Sequence, residues 1–275
     1  MRLLIATGGS SHSDAALQLG AHILRAQEAG DITTILTVIR RESKRPQANL
    51  ILAQARKLLE AEVPEVQTRV RLGRPAEEII SEANEGSYDL VILGERPTHR
   101  LTTRFLGSTA IQVAEHAPCP VIIVKAETGP IQRILLCDSG AESGSLLSRF
   151  TAQLARLTEG QVELIVLHVM SQMSAGPGVK GKQLRATAPE LIKANAPEGD
   201  LLAGDIRMLE EPEVHPRPKV RHGLVVDEIL AEARSGNYDL VVIGSHQSEG
   251  WQRFLLDNLA HQILVKVDRP ILIVR

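Results

Sequence analysis

The sequence predicts an α/β protein of two tandem domains, each a doubly wound, five-stranded parallel sheet. Three observations carry this reading. The chain repeats itself once from end to end. Within each copy, short runs rich in Val, Ile and Leu alternate with longer segments of helical period. The composition, 43% apolar and 23% charged over 275 residues, suits two compact cores and does not suggest disorder.

The repeat is explicit. Tyr88-Asp89-Leu90-Val91-Ile92-Leu93-Gly94 returns 150 residues later as Tyr238-Asp239-Leu240-Val241-Val242-Ile243-Gly244, and Pro120-Val121-Ile122-Ile123-Val124 returns as Pro270-Ile271-Leu272-Ile273-Val274. Earlier pieces match 131 residues apart: Arg2-Leu3-Leu4-Ile5-Ala6 with Arg133-Ile134-Leu135-Leu136-Cys137, and Thr37-Val38 with His168-Val169. The unit is far longer than a solenoid repeat, so each copy is a domain. The expected domains are 1–127 and 131–275, joined through Ala126-Glu127-Thr128-Gly129-Pro130. The change of offset places about 19 extra residues in the second copy, within about 171–218. Pro177, Pro189, Pro197, Pro212, Pro216 and Pro218 there predict a mobile, elongated excursion.

In the first copy, strands are expected at Leu3–Ala6, Thr33–Val38, Val66–Arg71, Leu90–Leu93 and Val121–Val124. Ala16, Gly20, Ile23 and Leu24 share one helical face, with Gly30 as a stop, and Ile51, Ala55, Leu58 and Leu59 repeat the period. Pro75 suits a first helical position ahead of Ile79, Ile80 and Ala83. In the second copy, strands fall at Ile134–Cys137, Val162–Val169, Lys219–His222, Leu240–Ile243 and Ile271–Val274, with a helix carrying Leu146, Leu147, Phe150, Leu154 and Leu157. Continuous apolar strands separated by helices imply parallel sheets covered on both faces, with right-handed crossovers.

Composition excludes several classes. A net charge of −2 and six aromatic residues do not provide the basic face or the stacking platform of a nucleic-acid binder. Cys119 and Cys137 are isolated, with no metal-ligand spacing, which fits a reducing compartment. The N-terminal apolar run is cut short by Gly8-Gly9, and no window approaches a membrane span. A cytoplasmic protein is expected, without nucleic-acid or membrane partners and without a metal.

In a doubly wound sheet the ligand crevice lies beyond the carboxyl ends of the strands at the switch in strand order. This directs attention to Thr7–Ser13 and Gly94–Ser108, and to Asp138–Gly144 and Gly244–Asn258. Gly94-x2-Pro97-x9-Gly107-Ser108-Thr109 resembles the G-x2-G-x9-G-[ST] phosphate loop of the universal stress proteins. Gly73-Arg74-Pro75, Tyr88-Asp89-Leu90-Val91 and His116-Ala117-Pro118-Cys119-Pro120 match further family signatures. The resemblance runs through both copies, and the chain is similar to a tandem universal stress protein. It implies a Rossmann-like fold of the adenine nucleotide alpha hydrolase type and a non-catalytic stress-response role. It also implies ATP as a regulatory ligand, and pairing of the last strands into an intramolecular pseudo-dimer, with a homodimer as a further step.

The same resemblance implies that Gly94, Gly107, Ser108 and Thr109 face phosphate and that Ala6 and Val38 line an adenine pocket. Glycines allow backbone N–H groups to approach phosphate, and a helix start adds its positive end. Other roles stand beside these: Ser108 as an ordinary N-cap, Ala6 and Val38 as core. Thr7 occupies the place of the Asp that nucleotide-binding members carry, and Pro97 removes an N–H donor. Arg96, Arg100 and Arg104, with His99 among them, could hold phosphate from side chains, or could be solvated. The second copy has the complementary defect. Asp138 sits at the Asp position, whereas Gly244-x2-Gln247-x9-Asp257-Asn258 brings negative charge where phosphate belongs, so that site is expected to be degenerate.

No P-loop, G-x-S-x-G elbow or H-E-x-x-H motif is found. His215 and His222 could meet a metal only by tertiary accident, and His168 reads as a satisfied core histidine. The alternatives to the regulatory reading are a structural or partner-binding module without nucleotide, its surface being the Ser171–Pro218 segment, and a weak ATPase on the same fold.

Overall fold

The computed structural model describes residues 1–24, 31–59, 66–95, 107–125, 129–137, 144–157, 160–170, 185–210, 212–244 and 258–274, with the side chains of 147 onward in the segment that starts at 144. In the first half, β1 (Arg2–Ala6), α1 (Ser11–Leu24), β2 (Ile32–Ile39), α2 (Arg45–Leu59), β3 (Val66–Leu72), α3 (Pro75–Gly86), β4 (Leu90–Gly94), α4 (Ser108–His116) and β5 (Val121–Val124) follow one another. The second half runs β6 (Arg133–Cys137), α5 (Gly144–Arg156), β7 (Val162–Met170), α6 (Ala188–Lys193), α7 (Pro197–Leu209), β8 (Val214–His222), α8 (Val225–Ser235), β9 (Leu240–Gly244), α9 (Asn258–Lys266) and β10 (Ile271–Val274).

The strands form a single sheet in the order β3-β2-β1-β4-β5-β10-β9-β6-β7-β8. Within each half every pairing is parallel, and the order reverses between β1 and β4 and again between β6 and β9. The halves meet in an antiparallel pairing, the one such pairing among the described residues, with Ile271 opposite Ile123, Leu272 opposite Ile122 and Ile273 opposite Val121. Because side chains alternate across a strand, these short apolar strands feed both faces. Ile122, Val124, Leu272 and Val274 join the core under α1, α2, α5 and α7, and Val121, Ile123, Ile271 and Ile273 join the core under α3, α4, α8 and α9. Each core layer therefore runs unbroken through both halves. Lys125 adds a polar tie: buried at the end of β5, its ammonium donates to the carbonyls of Leu264 and Val267 (2.8 Å for the latter), where α9 ends, and lies 3.8 Å from Glu95.

Two sequence expectations need correction. The proline-rich stretch is not an irregular excursion across its described part, residues 185–210 and 212–218. Pro189 and Pro197 stand in the first turns of α6 and α7, where the missing N–H has no helical partner to lose. Pro216 and Pro218 lie within β8, which begins at Val214 rather than Lys219 and is tolerated there because β8 is an outer edge. In α2 the buried line is Ala48, Leu52, Ala55 and Leu59, while Leu58 is 50% exposed. Cys119 and Cys137 are buried and are not joined in a disulfide.

A matched ion cluster pins α3 and α8 to the two outer edges. Glu82, 1% exposed, accepts hydrogen bonds from Arg69 (2.7 Å), Arg71 (2.9 Å) and the Tyr88 hydroxyl (3.0 Å). Glu232, 150 residues on and equally buried, accepts from Lys219 (2.8 Å), Arg221 (2.9 Å) and Tyr238 (2.6 Å). Arg2 and Arg133 lie over the Tyr88 and Tyr238 rings. Burial alone would raise the Glu232 carboxyl. The bonds from Lys219, Tyr238 and Arg221 outweigh it and hold the group below its ordinary range. Burial and the facing carboxylate push the Tyr238 hydroxyl up.

Candidate functional site

The crossover from β1 to α1 is built by hydroxyls. The Thr7 N–H donates to Leu36 O (2.8 Å) and Thr37 Oγ1 donates to Thr7 O (3.1 Å), which fixes the end of β1 against β2. Gly9 turns the chain with φ +68° and donates to Thr7 Oγ1 (3.2 Å). Ser10 caps α1 by accepting from Ser13 N–H (3.4 Å), and Ser13 Oγ in turn accepts from Gly8 N–H (3.1 Å) and is hydrogen-bonded to Ser10 Oγ (3.0 Å). Two strands away, Gly107 (φ −60°, ψ 138°) precedes α4 as its N-cap, and among the described residues no side chain caps that helix. The first N–H groups of α4 are therefore open to a ligand, with the positive end of the helix behind them.

Between these two helix starts, at the switch between β1 and β4, lies a cavity of about 360 Å³. Ala6, Leu36, Val38, Ile79, Leu93 and Ala110 supply its apolar wall. Thr7, Gly8, Ser10, Ser13, Gly107, Ser108 and Thr109 supply its polar rim. Among the described lining residues none is charged.

Six sequence-predicted site residues, Ala6, Val38, Gly94, Gly107, Ser108 and Thr109, thus come together around one cavity. Ala6 and Val38 serve the core as well: Ala6 belongs to the layer beneath α3 and α4, and Val38 packs against it. Gly94 has a packing duty of its own. A Cβ there would stand 2.0 Å from the backbone oxygen of His12, so the close seating of α1 on β4 requires glycine whatever the cavity holds. Arg96, Pro97, His99, Arg100, Arg104, Asp138, Gln247 and Asp257 lie outside the described residues. The sequence reading missed Ser10 and Ser13 individually, and the contribution of Pro75 and Ile79 from α3; a Ser-x-x-Ser pair just after the first strand was the available signal. His168 is half-buried on β7 rather than core, His215 is exposed, and His222 Nε2 lies 3.0 Å from Ala186 O. No cluster of three metal-ligating side chains occurs among the described residues, nor any helix long and apolar enough to cross a membrane.

The sequence model described as the universal stress protein family matches residues 1–125 and again 130–275. The chain belongs to the universal stress protein family. Universal stress protein YxiE of Bacillus subtilis is 28% identical over 146 residues, 45% of this chain and 98% of that one. A universal stress protein of Mycolicibacterium smegmatis is 25% identical over 216 residues, 76% of this chain and 69% of that one. Among solved structures, a universal stress protein from Archaeoglobus fulgidus superposes over 100% of this chain and 98% of its own with a TM-score of 0.71 at 17% identity. One from Pseudomonas aeruginosa UCBPP-PA14 does so over 99% and 92%, at 0.69 and 18%. These structures share the tandem α/β fold.

Proposed function

We propose that this tandem universal stress protein is a non-catalytic stress-response protein that binds an adenine nucleotide, ATP in the first instance, in its first domain as a regulatory ligand. The observation that supports this reading is the uncapped start of α4 at Gly107-Ser108-Thr109, which opens onto a cavity with an apolar wall at the sheet's switch point. An apolar base fits Ala6, Val38 and Leu36, and phosphate fits the open N–H groups and positive end of α4. The described rim is built of hydroxyls and backbone, which suits holding a ligand through hydrogen bonds. The second domain, whose sequence carries Asp257 where the family motif places phosphate, serves as the structural partner of the first. In this reading the domains span 1–127 and 131–275.

Acid extraction of the purified protein followed by chromatography, together with calorimetric titration with ATP, tests it. Saturable binding that disappears in Gly107→Val is expected, with no ATP turnover above a Ser108→Ala control. Absence of binding at millimolar ATP would refute the nucleotide reading and leave the partner-binding module.

A further inference from the structure

The sheet has two outer edges, and they differ. On β8, Val162 N–H donates to Glu213 O (2.9 Å) and Gly223 N–H donates to Met170 O (3.2 Å), so the odd-numbered residues turn their backbone groups toward β7. The even-numbered residues turn outward, and Pro216 and Pro218 are two of them. Proline has no N–H, so this edge lacks two of the donors that another strand would need. On β3, Gly73 N–H donates to Ile39 O (2.9 Å), and the odd residues again face inward. Val66, Thr68, Val70 and Leu72 face outward, and among the described residues no strand or loop pairs with their outer N–H and C=O groups.

We propose that β3 is a self-pairing edge, and that a second copy of this chain adds there antiparallel about a twofold axis through Thr68. The side chains select this register. With Thr68 opposite Thr68, Val66 lies opposite Val70 and Gln67 opposite Arg69, so apolar meets apolar and an amide meets a cation. The outward residues then pair as three hydrogen-bonded couples, about six backbone hydrogen bonds in all. Sliding the partner two residues one way sets Arg69 against Arg69, and four residues sets Arg69 against Arg71; like charges directly opposite are unfavourable. Sliding it the other way shortens the ladder to Val66–Thr68. Within each copy Glu82, Glu78 and Glu85 hold Arg69 and Arg71 on the α3 side of the sheet. On the α2 side of the sheet, Leu50 and Leu58 of α2, which packs on β2 and β3, are 66% and 50% exposed, and pairing draws this helix toward its counterpart. The contact is isologous and closes on itself.

Sedimentation velocity of the full chain from low to high micromolar concentration tests this, alongside Thr68→Pro and Thr68→Lys. The Thr68 N–H faces outward, so proline there spares the ladder to β2 just as Pro216 and Pro218 spare the ladder to β7. Thermal melts report whether each variant stays folded. The expected result is a monomer–dimer equilibrium in the wild type and a monomer in both variants. Thr68→Cys places two thiols on the axis at a Cα separation of about 5.5 Å, within disulfide reach, so mild oxidation gives a covalent dimer. Gln67→Cys, which faces Arg69 of the other copy, stays uncrosslinked. A wild type that is monomeric throughout overturns the proposal, as does a dimer that survives both Thr68 variants or fails to crosslink through Thr68→Cys.

Discussion

Replacing Glu232 by alanine separates the worth of a buried carboxylate from that of the charges around it. Lys219 and Arg221, the cationic partners, are 45% and 30% exposed, and Arg221 keeps Glu228 at 2.6 Å. They turn to water at a cost of about 0.5 kcal/mol each, the usual scale for partly exposed pairs. Tyr238 has no such escape. Its ring is 2% exposed and its hydroxyl, 2.6 Å from the carboxylate, is left without that acceptor at about 1–3 kcal/mol. The total is about 2–4 kcal/mol, or a fall in melting temperature of roughly 5–12 °C for a chain of this length. The decisive step is the second mutation. In the wild type, Tyr238→Phe removes a donor and costs about 1 kcal/mol. In the Glu232→Ala background it removes an orphaned hydroxyl and recovers about 1 kcal/mol, so the double variant is more stable than the single. Urea unfolding followed by circular dichroism reads all four corners of the cycle. If Tyr238→Phe deepens the loss in the Glu232→Ala background, the reasoning from an orphaned hydroxyl is wrong.

Glu232 also sets a pH dependence. Because its folded-state value is lowered from 4.5, its contribution is fully present above about pH 4.5 and is lost as pH falls through the lower folded value; the stability gap between wild type and Glu232→Gln, followed by thermal melts, should therefore narrow below pH 4.5. Gly94→Ala drives a Cβ to within 2.0 Å of His12 O and should cost about 2–3 kcal/mol by overpacking, while weakening any ligand binding in the cavity that Gly94 lines; calorimetry checks both. Lys125→Met strips the last carbonyls of α9 of a charged donor and should destabilise by about 2 kcal/mol, with hydrogen exchange rising first at the β5–β10 junction.

Much of the architecture was legible because a parallel sheet buried on both faces writes itself as uninterrupted Val, Ile and Leu, and because the copies at 131 and 150 residues repeat those runs in the same order. Proline was where the reading failed. Its meaning depends on which side of the backbone faces a partner, and sequence does not show that Pro189 and Pro197 open helices or that Pro216 and Pro218 point away from β7. Around the cavity, the glycines and hydroxyls at the strand ends were readable from position, but the closeness of His12 O to Gly94 is a tertiary contact without a local signature. The buried glutamates went unnoticed although a signal existed. Glu82 and Glu232 each interrupt an apolar helical face, between Ile79 and Ala83 and between Ile229 and Ala233, at the same repeat position.

The antiparallel junction of β5 with β10 gives the chain a freedom that two separate identical subunits lack. Identical subunits must carry every substitution twice, so the two ends of their shared sheet are either both open, which permits endless growth, or both closed, which permits none. A covalent pair carries each change once. Among the described strands the prolines of β8 terminate one end while β3 lies at the other, and a sheet with a single open end has a valence of one: addition of a second copy at β3 would consume that growing point. Joining the halves in one polypeptide would allow a sheet that pairs at β3 to extend once and then stop.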